Sequence, residues 1–459
     1  MSSGLLALLL VSYAGAVDYD AAAKEARGLL EELVAADTTN PPGNEARVAR
    51  LGAKRLEAAG IEFELLEFGP GRENLLARLP GSGAEPPLLL LAHTDLVGNA
   101  NQPWTSDPHR VTEKDGYLVG RGVLDDLGMA SLELQTLLIL KRAKVPLKRD
   151  VILAWTGDEE SDGLGLRDLF KKKPELLKVG LAINESGGAV LGPDGKVTRL
   201  GVSMAEKVYQ DFALTAKGAS GHSSAPVSDN AIYKLSAALD RVGRARFPAY
   251  LLPVTRAYLT AIQDDEAPPM KALIGRLLAA KGELPADAMA EIDAKHPTLA
   301  ALLHTTCVAT LVSGGTRANA LPAEAKATVN CRILPGEPST DVRKILVAAV
   351  ADPSVEVAPK GGFTPSPASP AEGPGPDAIA RTARKVWPGV VIVPNMSRGA
   401  TDSEFLRSSG IPAYGILPMP LTDEDRMRMH GADERIPVGS LRQGLEFLHQ
   451  LVLELAEKR

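Results

Sequence analysis

Three short apolar runs, 88–92, 151–155 and 181–184, are separated by helical stretches, and each stops abruptly at a cluster of acids or histidine. Runs this short and this uniformly apolar suit strands buried on both faces. Their alternation with helices predicts βαβ units, an α/β class with a mostly parallel sheet covered by helices. That arrangement constrains the chain more than any other feature, because in open parallel sheets the ligand crevice lies beyond the carboxyl ends of the strands. His93-Thr94-Asp95 follows the first run, Gly157-Asp158-Glu159-Glu160 the second and Glu185-Ser186-Gly187-Gly188 the third. A later run at 413–417 precedes His430 across a loop. Gly120-Arg121-Gly122-Val123-Leu124-Asp125-Asp126 sets two acids at the start of a helix read over 126–142.

The rest of the chain divides around this pattern. Helical periodicity marks 21–36 and 44–59. Near residue 200 the style changes to α+β, with a strand at 208–216, an amphipathic helix at 230–242 and a charge-rich helical insertion at about 250–304. Runs at 308–313 and 325–334 read as an antiparallel pair, followed by a helix at 341–350 and a strand at 355–358. The Pro- and Gly-rich segment 361–376 reads as a linker. Beyond it, 378–386, 390–393, 411–417 and a final helix at 440–456 return to the alternating style. The expected organisation is an α/β domain in two parts, 17–203 and 363–459, interrupted by an inserted α+β domain at 204–362.

Composition narrows the chemistry. The 459 residues carry a net charge of −6, which argues against a nucleic-acid surface. Two cysteines, Cys307 and Cys331, leave no thiolate metal site, so any ligands must come from the 7 His and 57 Asp and Glu. The cysteines fall on neighbouring strands and suit either a disulfide, if the protein is exported, or two reduced buried thiols. The apolar run 5–11 with Ala14-Gly15-Ala16 is far shorter than the ~20 residues of a spanning helix. It reads as a signal peptide over 1–16, although its first four residues lack the usual positive charge. Export to the periplasm or outside the cell is therefore expected, with a cytoplasmic location as the alternative. No other segment is long and apolar enough to anchor the chain.

Singly, a His-x-Asp or a Glu-Glu pair is ordinary. Together they make a nitrogen and oxygen donor set for two divalent ions sharing one carboxylate, with zinc the default and cobalt or manganese as alternatives. Two such ions polarise a carbonyl and acidify water, and a nearby carboxylate free of metal can take the proton.

These motifs resemble the co-catalytic zinc peptidases and deacylases that include glutamate carboxypeptidase, acetylornithine deacetylase, succinyl-diaminopimelate desuccinylase, aminoacylase and carboxypeptidase S. The resemblance extends from Asp37-Thr38-Thr39-Asn40-Pro41-Pro42-Gly43 to Met429-His430-Gly431-Ala432-Asp433-Glu434. It implies two zinc ions per subunit: His93, Asp125 and Glu185 for one, Asp125, Glu160 and His430 for the other, with a cis peptide after Asp125. Glu159 is then the general base and Asp95 the partner orienting His93. In Gly218-Ala219-Ser220-Gly221-His222-Ser223-Ser224, His222 would reach a neighbouring subunit's site and stabilise the oxyanion, making the inserted domain a lid and dimerisation domain of a homodimer. Asn319 and Arg332 would bind substrate, since a guanidinium clamps a carboxylate bidentately. An inter-strand ion pair is the alternative for Arg332. The implied activity is hydrolysis of an amide bond next to a free carboxylate in a small peptide or N-acyl amino acid, by a carboxypeptidase, dipeptidase or deacylase. The competing reading is a non-catalytic metal-binding homologue acting as a binding protein. Two departures stand out: Leu127 where the family commonly has Lys, and Asn330 where many relatives have Asp.

Overall fold

The computed structural model describes residues 17–458; the signal segment read over 1–16 lies outside the described residues. The chain forms two compact units. One takes the residues up to Thr198, Asp377–Val390 and those from Leu417 onward; the other takes Arg199–Pro376 and Val391–Ile416.

In the first unit the strands lie side by side in the order Glu62–Gly69, Arg72–Leu79, Val151–Thr156, Leu88–His93, Leu181–Asn184. The last three are parallel, and the first two form an antiparallel hairpin that pairs antiparallel with Val151–Thr156. The hairpin is an addition to the sequence reading. Glu62, Glu64 and Glu67 interrupt its outer strand, which is solvent-facing at the sheet edge, so no apolar run marks it. The inner strands Leu88–His93 and Val151–Thr156 are buried at every residue, as their uniform apolarity requires. Leu127–Arg142 packs against both and is itself buried from Leu127 to Leu140, with Ser131, Glu133, Gln135 and Thr136 buried among its apolar residues. Each buried Leu in it contributes about 1.5–3 kcal/mol relative to exposure. Tyr19–Ala35 and Val438–Ala456 pack on that helix, and Ala46–Ala59 covers the hairpin. A Cβ on Gly52 would lie 2.5 Å from the Trp155 ring, so glycine is what permits this close approach.

Register positions the site. Leu88 is level with Val151 and Leu181, and His93 with Thr156. His93, the 157–160 loop and Glu185 therefore emerge at one edge of the sheet. A separate antiparallel sheet of Thr112–Lys114, Tyr117–Val119 and Arg435–Pro437 joins distant parts of the chain. It sets the 430–434 loop beside residues 120–126, with Gly120 N donating to Glu434 O at 3.0 Å.

The second unit contains an antiparallel sheet in the order Thr306–Gly314, Glu324–Ile333, Val208–Lys217, Val355–Lys360. Helices Ala231–Gly243 and Ser339–Val350 pack on it around Phe212, Leu214, Leu235, Val329 and Leu346. The insertion folds as four helices between Pro253 and Leu303 with a core of their own, including Leu259, Ile274, Leu277 and Ile292. Cys307 and Cys331 are directly opposite and joined by a disulfide, which decides between the two readings of that pair. Asn330 faces Asp211 across the strands and donates to its Oδ1 at 2.9 Å. An aspartate there would set two carboxylates against each other, which accounts for this departure. The linker is shorter than read, because the helix Pro374–Val386 begins within it, and the run at 411–417 contributes only the strand Ala413–Gly415.

Candidate metal centre

Five segments of the first unit converge at the carboxyl edge of its sheet. His93, at the end of Leu88–His93, is 2% exposed. Its Nδ1 donates to the main-chain O of Asp95 at 3.0 Å, which aims Nε2 at Asp125 Oδ1, also 3.0 Å away. The other carboxylate oxygen of Asp125 lies 2.8 Å from His430 Nε2, and that same nitrogen is 3.1 Å from Glu160 Oε1. Asp125 thus presents one oxygen to each histidine. Glu185 Oε1 lies 3.9 Å from His93 Nε2. Ligand atoms of His93, Asp125 and Glu160 lie within 4.8 Å of one another, as do those of His93, Glu159 and Glu185. The peptide between Asp125 and Asp126 is cis.

The electrostatics of this cluster call for a cation. Close carboxylate pairs repel by about 4 kcal/mol at 4 Å and an effective dielectric of ~20, and Asp125, Glu159, Glu160 and Glu185 outnumber the two histidines. Burial opposes a charged His93, but Asp125 and Asp95 outweigh it and hold the imidazole well above its ordinary pKa. Asp125 and Glu160 push His430 up to about 10. Burial would raise Asp125, yet the two histidines pull it below the usual carboxylate range. Asp126 is pushed well above that range by burial and then by the charge of Glu185. Two neutral imidazole nitrogens and at least three carboxylates fit a pair of hard or borderline divalent ions.

The surrounding contacts change the picture of Asp95. Its carboxylate lies 3.6 Å from His93 Nδ1, farther than its own main-chain oxygen. Oδ1 instead accepts from the amide of Glu159 at 3.0 Å, and Oδ2 from Glu160 N at 3.2 Å and Asn40 Nδ2 at 2.9 Å. Asp95 therefore orients His93 through its main chain and the Glu159-Glu160 dipeptide through its side chain. Asn40 also donates to Asp158 Oδ1 at 3.1 Å, and Arg72 ties Asp158 to the buried Glu45. A Cβ on Gly157 would fall 2.5 Å from Glu45 Oε1, so glycine seats the loop on that ion pair. Sequence reasoning missed Asn40, Glu45 and Arg72 as supports. Asn40 lies in a motif already singled out, whereas the Arg72–Glu45 pair left no sequence signal.

The remaining three residues belong to the second unit. His222, on the two-residue strand Gly221–His222, is exposed, with Nδ1 2.7 Å from Ser224 Oγ. That strand pairs with Ala320–Leu321, and Ser223 N donates to Asn319 O at 3.0 Å. Arg332 stacks over the Tyr209 ring at 4.9 Å, and no carboxylate pairs with it among the described residues.

Residues 89–454 match the model of peptidase family M20/M25/M40. The chain is 30% identical over 384 residues to the human N-fatty-acyl-amino acid synthase/hydrolase PM20D1, covering 81% of this chain and 75% of that protein. It is 26% identical to a carboxypeptidase S-like protein of Dictyostelium discoideum, covering 80% and 71%. Among solved structures, the M20 family metallo-carboxypeptidase Sso-CP2 of Sulfolobus solfataricus shares the fold, with a TM-score of 0.69, 18% identity and coverage of 93% and 98%.

Proposed function

The chain belongs to peptidase family M20/M25/M40, and on that premise we propose that it is a dinuclear metal hydrolase of amide bonds adjacent to a free carboxylate. The observation that carries this reading is Asp125, which offers one oxygen to His93 and the other to His430, the disposition of a carboxylate shared by two ions. His93 and Glu185 would complete one site, Glu160 and His430 the other, with zinc as the native metal and cobalt or manganese as substitutes. When bound, such ions polarise the scissile carbonyl and acidify water. Glu159 takes the proton from the attacking water and returns it to the leaving nitrogen, its main chain held by Asp95. His222 of a second subunit stabilises the developing oxyanion, and Arg332 with Asn319 holds the substrate carboxylate. That no carboxylate among the described residues pairs with Arg332, which stacks on Tyr209, supports that role over an inter-strand ion pair.

The substrate class is a small peptide or an N-acyl amino acid, and the 30% identity to a protein named as an N-fatty-acyl-amino acid synthase/hydrolase favours the latter. The second unit serves as lid and dimerisation domain. Its edge strand Thr306–Gly314 exposes Val308, Leu311 and Val312, an unpaired apolar edge of the kind that invites pairing. The Cys307–Cys331 disulfide supports an exported protein. No helix among the described residues is long and apolar enough to cross a membrane.

Glu159→Ala tests the assignment. The variant should keep its metal content and lose about 10²–10⁴ of kcat on a panel of N-acyl amino acids and dipeptides. Near-normal turnover would remove Glu159 as the base; wild type that binds metal yet turns over nothing on the panel would favour the binding-protein reading.

A further inference from the structure

Behind the metal cluster lies a buried ion pair that metal binding and proton transfer leave unassigned. Arg121 and Glu434 are both fully buried, 313 residues apart, with Arg121 Nη1 2.6 Å from Glu434 Oε2. A buried pair of this kind is a poor source of stability, since apolar replacements of similar volume are often as good or better. Its contacts suggest a different use. Glu434 Oε1 accepts from the amides of Leu124 and Asp125 at 2.9 and 3.2 Å, the two that set the path of the chain into the Asp125 carboxylate. Arg121 Nη2 donates to the main-chain O of His430 at 3.2 Å and to Gln102 Oε1 at 2.8 Å. Gln102 Nε2 donates to the same His430 oxygen at 2.8 Å. His430 itself has φ +62°, a left-handed conformation that a non-glycine residue keeps only when its surroundings enforce it. One carboxylate therefore holds the main chain at Asp125, while one guanidinium and one amide hold it at His430.

We propose that Arg121 and Glu434, with Gln102, are positioning residues that fix the separation of Asp125 and His430 and so preform the ion site those two share with Glu160. This rests on the dinuclear reading above. The chemistry is electrostatic matching: Glu434 accepts from the main chain at Asp125 while Arg121 and Gln102 donate to the main chain at His430, which leaves both ligand side chains to face a divalent cation.

Cobalt titration of the metal-free protein tests this, followed by visible absorption and by competition with a chelator. Wild type should take up two ions. Glu434→Gln turns an amide toward Arg121 and should weaken one ion by about 10- to 100-fold while leaving the other within about 3-fold, and the residual spectrum should match that of His430→Ala. Gln102→Ala, in a part-exposed loop, should weaken the same ion by about 2- to 10-fold, and it decides the matter if Glu434→Gln does not fold. Equal weakening of both ions, or wild-type binding in both variants, overturns the positioning role and leaves the dinuclear reading standing. Wild type that binds fewer than two ions overturns both.

Discussion

Replacing Asp95 by asparagine is the sharpest probe of how the Glu159-Glu160 pair is held. The carboxylate is fully buried and accepts from three donors: Glu159 N on Oδ1, and Glu160 N and Asn40 Nδ2 on Oδ2. Burial favours the neutral acid, but His93, Asn40 and the Glu159 amide outweigh it and hold Asp95 below its ordinary pKa, so the group acts as an anion. Asparagine has one acceptor oxygen and one NH2. Its better orientation keeps Glu160 N and Asn40 and turns the NH2 against the amide of Glu159. The unmet buried N–H costs about 2 kcal/mol, and the lost charge on the other two bonds roughly 1 kcal/mol more. Asp95→Asn should therefore destabilise the first unit by about 3 kcal/mol and, because the freed amide belongs to the proposed base, lower kcat by about 10- to 100-fold. KM should move much less. Trp104, Trp155 and Trp387 are the only three tryptophans and all belong to the first unit, so urea unfolding followed by tryptophan fluorescence reports that unit directly. A wild-type midpoint together with kcat within a factor of two would refute this account of Asp95.

Two further outcomes follow from other parts of the molecule. His222→Ala should be inactive with its metal retained, and mixing it with Glu159→Ala under conditions that exchange subunits should restore activity; a mixture as inactive as its components would remove the role across subunits. His449 is buried, with Nδ1 2.8 Å from the Tyr19 hydroxyl, and burial followed by the charge of Lys385 depresses it from 6.5 to about 4. The unfolded chain then binds the proton that the fold refuses, so this contribution is complete above about pH 6.5 and is lost as pH falls toward 4, amounting to about 3 kcal/mol. His449→Gln should flatten the stability curve of the first unit by about that amount between those values, and parallel curves for the two proteins would refute it.

The predicted and observed elements differ in an instructive way. The runs at 88–92, 151–155 and 181–184 became Leu88–His93, Val151–Thr156 and Leu181–Asn184, because a strand buried on both faces can only be apolar throughout and so announces itself. The Glu62–Gly69 and Arg72–Leu79 hairpin carries no apolar run, since its outer strand is an edge that needs one apolar face at most, and Arg72–Leu79, paired on both sides, still mixes Arg72, Glu73, Asn74 and Arg78 with its apolar residues. Helix 127–142 is legible from its length and mostly apolar make-up between two buried strands. The strands of the small sheet that holds the 430–434 loop in place, Thr112–Lys114, Tyr117–Val119 and Arg435–Pro437, are three residues each and too short for any periodicity to show.

The sequence alone narrowed the donor chemistry that the proposed centre can use. With two cysteines and no more, any metal centre must be built from histidine and carboxylate, and the strand ends bearing His93, Glu159, Glu160 and Glu185 mark the place proposed for it. Only the tertiary structure decided how Asp125 divides its oxygens between His93 and His430, that the Asp95 carboxylate accepts from Glu159 N, Glu160 N and Asn40 Nδ2, and that Arg121 meets Glu434 across 313 residues. The physical reason is that residue type and local spacing reveal which chemistry a segment can supply. The partner of a buried charge is fixed by packing and register between segments far apart in the chain, where the cost of leaving it unpaired is largest.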